Sequence, residues 1–124
     1  MISITGKVIR GDGYGKTIGF PTANIDRKQF VRLAAKIRQG VYAGLVILES
    51  GKKYKAGIVI GPLDKKNLPK LEAHVINFRG SLYNTRVTFV LQKFLRPFKK
   101  YKTVADLQGQ IKKDITKVQQ IITL

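Results

Sequence analysis

A chain of 124 residues with no cysteine can bury one hydrophobic core but not two, and it excludes disulfide scaffolds, thiolate zinc sites and cysteine nucleophiles. Its 44% hydrophobic content argues against wholesale disorder. No apolar run approaches bilayer length and the start lacks a signal-peptide stretch, so a single cytoplasmic domain over residues 1–124, a monomer away from membranes, is expected. The net charge of +17, from 24 Lys+Arg against 7 Asp+Glu, attracts polyanions and keeps a nucleic-acid partner open as an alternative.

Ile2–Arg10 alternates weakly and reads as a strand that ends in a glycine-rich loop, Gly11-Asp12-Gly13-Tyr14-Gly15-Lys16. Pro21 fixes a turn, and Thr22–Ile25 begins a second extended piece. Phe30, Leu33, Ala34 and Ile37 fall at helical spacing, which predicts a short helix over Gln29–Arg38 that Gly40 terminates. Val41–Glu49 and Tyr54–Gly61, joined by Ser50-Gly51-Lys52, read as a hairpin. Pro62–Pro69 reads as a charged loop. Leu71–Phe78 and Arg86–Leu95 are two further strands, with Leu91 and Leu95 assigned to the core.

From Thr103 the apolar period lengthens. Thr103-Val104-Ala105-Asp106 has the form of a capping box, and Leu107, Ile111, Ile115 (or Asp114 beside it), Val118 and Ile122 form the stripe of a helix over about 103–123. Gly109 weakens that helix by roughly 1 kcal/mol relative to alanine. Five or six strands followed by one helix predict a mainly β fold, an antiparallel barrel with the helix packed against it.

Glycines let a backbone approach a polyphosphate, and a threonine hydroxyl and an asparagine carbonyl are hard oxygen donors of the kind Mg²⁺ prefers. Gly11, Gly13, Gly15, Lys16, Thr22 and Asn24 therefore assemble the parts of a nucleotide–Mg²⁺ site, which points to phosphoryl transfer. Neither a dinucleotide fingerprint nor a Walker loop fits the glycine spacing. Transfer to an alcohol also needs an acceptor for the hydroxyl proton. Asp106 and Asp114 belong to the helix; Asp26, Glu49 and Asp64 sit in or beside loops and strand ends and read as solvated. Glu72 lies inside a strand, on the face opposite Leu71, Ala73 and Val75. Pattern alone favours a solvent-facing glutamate there. His74 shares its face and reads as a hydrogen-bonded structural group.

The run from Gly6 to Asn24, with Gly19-Phe20-Pro21-Thr22-Ala23-Asn24 at its end, resembles the opening of the riboflavin kinases, which stand alone or form the C-terminal half of bifunctional bacterial FAD synthetases. Gly40-Val41-Tyr42-Ala43-Gly44, Glu72-Ala73-His74-Val75, Leu82-Tyr83, Leu95-Arg96-Pro97 and Leu107 through Gln110-Ile111 to Asp114 continue it across nearly the whole chain. The resemblance implies a six-stranded antiparallel Greek-key barrel of riboflavin-kinase type with a C-terminal helix. It implies MgATP-dependent phosphorylation of the 5′-hydroxyl of riboflavin to FMN, with ADP released. Carried over by position, Glu72 is the catalytic base. Thr22 and Asn24 contact Mg²⁺ and the nucleotide phosphates, and Gly11, Gly13, Gly15 and Lys16 form the ATP flap. Val75, Asn77 and Tyr83 fall on the nucleotide side of the following loop, and Arg96, Lys99 and Tyr101 match the flavin flap. The chain departs from the family pattern at Val59-Ile60-Gly61-Pro62-Leu63-Asp64, at the acid-free Asn77–Ser81 and at Phe98. A basic nucleic-acid-binding barrel and a flavin-binding non-catalytic homologue are the alternatives. No His-x-Gly-His segment precedes the barrel, so the chain alone is not expected to make FAD.

Overall fold

The computed structural model of the chain describes residues 1–11, 14–26 and 36–124. Among them, strands β1 (Ile2–Ile9), β2 (Ala23–Ile25), β3 (Gly40–Leu48), β4 (Lys53–Leu63), β5 (Pro69–Val75) and β6 (Arg86–Arg96) close into an antiparallel barrel in the order β1-β2-β5-β4-β3-β6. A one-turn helix, α1 (Tyr14–Thr17), stands between β1 and β2, and α2 (Val104–Ile121) follows the barrel. No helix among the described residues is long and apolar enough to cross a membrane.

Two apolar clusters explain the alternation. The barrel interior is filled by inward residues of every strand, among them Ile4, Ile25, Val46, Ile58, Leu71 and Phe89, all essentially inaccessible. A second cluster lies on the outer wall, where Val118 and Ile122 of α2 cover Ala43 and Leu45 of β3. Strand β3 is therefore buried on both faces, which is why Val41–Leu48 reads as an unbroken apolar run instead of an alternating one. At Gly44 a Cβ would collide with the Val90 carbonyl, beside the place where the β3–β6 register shifts.

Helix α2 starts as its sequence requires. The Thr103 hydroxyl accepts a hydrogen bond from the Asp106 amide at 3.1 Å, leaving Asp106 in the first turn. The stripe resolves the choice between its two central candidates. Asp114, not Ile115, is the buried residue, only 6% exposed, with Val118 and Ile122 below it.

Three expectations are corrected. Strand β4 runs on through Pro62 to Leu63, and β5 already begins at Pro69, so the connection is shorter than Pro62–Pro69. The proline is tolerated because the β4–β5 register breaks between Ile60 and Leu63, where no regular ladder bond is required of it. Asp64 closes the turn by accepting from the Lys66 and Leu68 amides at 2.8 and 3.0 Å, so it is a turn-forming residue and not merely solvated. Strand β5 stops at Val75 rather than Phe78, since Asn77 takes the left-handed region at φ 62° and turns the chain. Of the helix expected over Gln29–Arg38, residues 29–35 lie outside the described residues; Lys36–Arg38 are turn and coil, and Gly40 opens β3.

Candidate active site

Strand register sets out the site before any side chain is placed. Asn24 pairs with Glu72, Glu72 with Val59, Val59 with Val41, and Val41 with Arg96. These five positions form one row on the outer wall of the barrel, from β2 across β5, β4 and β3 to β6. Glu72 and Arg96 stand three strand spacings apart, roughly 14 Å along the sheet. The floor between them is apolar. A neighbouring row runs from His74 through Gly57 and Ala43 to Lys93. Gly57 leaves a gap in it, since a Cβ there would meet nothing within 4 Å.

The segment linking β6 to α2 and the first turns of α2 roof this floor. The enclosed cavity has a volume of about 280 Å³, near the lower end of small-molecule sites. Glu72 and Thr22 line one side, Arg96 and Asp114 another, while Phe98, Tyr101, Leu107 and Ile111 close it from above.

At the Glu72 side the Thr22 hydroxyl donates to Glu72 Oε2 at 3.2 Å, and Lys70 Nζ lies 3.5 Å from Oε1. Asn24 Nδ2 lies 3.5 Å from Thr22 Oγ1. A Cβ on Gly11 would come within 2.5–2.7 Å of the Asn24 amide, so only glycine permits this approach of β1's end to β2. The first glycine of the loop thus meets the threonine–asparagine pair directly. His74 Nδ1 lies 3.0 Å from the Pro21 carbonyl, which can only accept; that nitrogen carries the proton. The Phe20 ring stands edge-on to the imidazole at 5.8 Å. His74 accordingly fixes the Phe20-Pro21-Thr22 turn against β5, the structural part its sequence suggested.

At the other side Arg96 forks onto Asp114, with Nε at 3.0 and 3.2 Å from the two carboxylate oxygens and Nη2 at 2.8 Å. Gln110 Nε2 donates to the same carboxylate at 2.9 Å. Burial by itself would lower the Arg96 guanidinium, but the hydrogen bonds and charge of Asp114, with Tyr101 adding, hold it above its ordinary value. Tyr101 Oη is buried without a hydrogen-bond partner among the described residues. Lys99 is exposed, its Nζ 5.9 Å from the Tyr101 ring centre.

The structure brings Thr22, Glu72, Arg96, Lys99 and Tyr101 onto the wall of one cavity, with Asn24 and Gly11 against Thr22. Lys16 is exposed in α1, which also contains Gly15, and Gly13 lies outside the described residues. Val75 is half-buried at the end of β5; Asn77 and Tyr83 are exposed in the loop that follows and do not line the cavity. That loop is bonded to the end of β1, through Asn84 N to Val8 O and Val8 N to Thr85 O. The Arg10 guanidinium lies over the Tyr83 ring at 5.3 Å. Tyr83 and Gly11 therefore flank the same end of β1.

Sequence reasoning missed Asp114 as a partner of Arg96, Lys70 beside Glu72, and the floor made by Val41, Gly57 and Val59. A charged residue on the apolar stripe of a helix was the readable signal for the first.

Residues 1–122 match the family described as Flavokinase: Riboflavin kinase. The chain is 31% identical to riboflavin kinase of Homo sapiens over 123 residues, covering 96% of this chain and 79% of that protein. It is 34% identical over 115 residues to the bifunctional riboflavin kinase/FMN adenylyltransferase of Escherichia coli strain K12, covering 90% of this chain and 35% of that protein. The chain thus spans about a third of the length of such bifunctional relatives. Among solved structures, a Streptococcus pneumoniae chain described as a macrolide-efflux protein superposes with a TM-score of 0.80 at 26% identity, over 98% of this chain and 39% of that one. Riboflavin kinase from Trypanosoma brucei shares the fold, with a TM-score of 0.71 at 22% identity over 96% of this chain and 78% of that one.

Proposed function

The chain belongs to the riboflavin kinase family, and from that footing we propose that it transfers the γ-phosphoryl group of ATP to the 5′-hydroxyl of riboflavin, giving FMN and ADP. The observation that carries this reading is the Thr22–Glu72 contact on the wall of the cavity, with Asn24 directly opposite Glu72 in register.

Glu72 accepts the proton of the 5′-hydroxyl as that oxygen bonds to the γ-phosphorus and the bond to the β–γ bridging oxygen breaks. Lys70 at 3.5 Å and the Thr22 hydroxyl at 3.2 Å hold the carboxylate in place. The apolar floor of Val59 and Val41, with the gap at Gly57, takes the flat ring system, and Phe98, Leu107 and Ile111 shield it from water. Arg96, Lys99 and Tyr101 belong to the flavin side. Gly11, Gly13, Gly15, Lys16, Val75, Asn77 and Tyr83 belong to the nucleotide side.

Mg²⁺ fits the donor set. Among the described residues no three His, Cys, Asp or Glu gather into a cage, whereas Thr22 Oγ1 and the Asn24 amide are the hard neutral ligands of a cation held mainly by nucleotide phosphates. Rotation of the Asn24 amide about χ2 presents Oδ1 in place of Nδ2. When bound there, the cation neutralises phosphate charge during transfer.

Incubation with riboflavin and MgATP, followed by chromatography, tests the proposal. FMN accumulates if it holds, and its absence under saturating substrates overturns it. Thr22→Ala is expected to raise the KM for MgATP about tenfold or more, and an unchanged KM with unchanged kcat removes Thr22 from the nucleotide side.

A further inference from the structure

Tyr101 is a polar residue on the wall of the cavity. Among the described residues its hydroxyl oxygen is buried with no hydrogen-bond partner. The groups around it are committed elsewhere. Both Asp114 oxygens accept from Arg96, one of them also from Gln110, and Arg96 Nη1 donates to the Pro97 carbonyl at 3.3 Å. The α2 residues that complete the wall, Leu107, Ile111 and Ile115, have no polar side-chain atom to offer. Leaving a buried hydroxyl without a partner destabilises a protein, a cost that a ligand relieves when it supplies the missing hydrogen bond.

Resting on the kinase reading above, we propose that Tyr101 Oη is the specificity-determining contact to the imide edge of the isoalloxazine, its C2=O, N3–H and C4=O groups. The two ends of that ring system differ: one carries two methyl groups, the other carries every carbonyl and the only ring N–H. Placed beside Tyr101, the dimethylbenzene end leaves the phenol buried and unsatisfied in the complex as well. The imide end satisfies it in either sense, since a phenol both donates and accepts. The row from Glu72 to Arg96 sets the span of the site, and the unsatisfied phenol sets which end of the ring lies at its far side. The reacting alcohol lies at Glu72, the ring lies over Val59 and Val41, and the ring's polar edge meets the Arg96–Asp114–Tyr101 corner. A site built around a hydrogen bond rejects an analogue that lacks it far more strongly than an apolar pocket rejects an altered outline.

The test is quenching of flavin fluorescence in titrations of wild type and Tyr101→Phe with riboflavin and with 3-methylriboflavin, together with thermal unfolding of both proteins without ligand. Tyr101→Phe is expected to weaken riboflavin binding about tenfold while leaving the unliganded Tm unchanged or higher, because it deletes an unsatisfied hydroxyl. Wild type is expected to discriminate against the N3-methyl compound by about tenfold, and the variant by less than about twofold. Equal riboflavin affinity in the two proteins, or equal discrimination, overturns the contact. Weaker binding accompanied by a lower unliganded Tm assigns Tyr101 to the fold and overturns it too. FMN formation by wild type beside an indifferent Tyr101→Phe defeats this inference alone, whereas a wild type that neither binds nor phosphorylates riboflavin defeats the kinase reading with it.

Discussion

The two ends of the cavity are built by different means. At the Glu72 end, Thr22, Asn24 and Glu72 are held by strand register, and their side chains are partly buried and lie 3.2–3.5 Å from one another. At the Arg96 end a charged pair is brought together by packing α2 onto the barrel, and its carboxylate is almost wholly buried. On the proposed reading, the groups that meet the nucleotide phosphates stand on the strands, and the carboxylate that ties the roof to the barrel stands on the helix. Removing a residue from the first end should therefore cost turnover, and from the second, stability.

Glu72→Gln carries the largest expected effect. The amide keeps the shape and cannot take a proton, so FMN formation should fall by about 10²–10⁴ in kcat with little change in Tm. A variant with wild-type kcat removes Glu72 from the reaction. Asp114→Ala should act in the opposite sense, leaving Arg96 without its partner and costing about 3 kcal/mol of folding free energy by denaturant titration. A loss of turnover at unchanged stability would erase the distinction between the two ends. Gly57→Val sharpens it from the floor. The added side chain enters open space, so the fold should tolerate it, while the KM for riboflavin rises about tenfold or more.

How much of each end was legible follows from the same difference. Period-two alternation put Glu72 and His74 outward and Leu71 and Ala73 inward, because a strand's faces are fixed by its own pleat. The Gly-Phe-Pro-Thr-Ala-Asn run announced its neighbours because β2 is short and begins within it, at Ala23. The Arg96–Asp114 pair joins residues on separate elements. Helical period alone left Asp114 and Ile115 equivalent, and only the docking angle of α2, set by Val118 and Ile122 on Ala43 and Leu45, decides between them. Gly57 was silent for a related reason. A strand glycine reads as a weakness until the opposing surface is known, and here that surface is a cavity. Pro62 misled outright, since its restriction matters only where the ladder is regular.

The smallest expected effect separates the ends by pH. Arg96 in the folded chain lies above its ordinary value. Its pairing therefore loses nothing through the guanidinium's own titration below the ordinary arginine value, and that contribution is lost only as pH rises through the still higher folded value. Between about pH 6 and about pH 10 the guanidinium term should give no slope to the difference in stability between wild type and Arg96→Met. On the proposed mechanism turnover has no such protection, because acid protonates the carboxylate that must take the hydroxyl proton. Across that range the Tm difference between wild type and Arg96→Met should stay level while FMN formation falls as pH is lowered. A Tm difference that declines together with turnover inside that range would mean that the two ends do not act independently, and they would have to be treated as a single site.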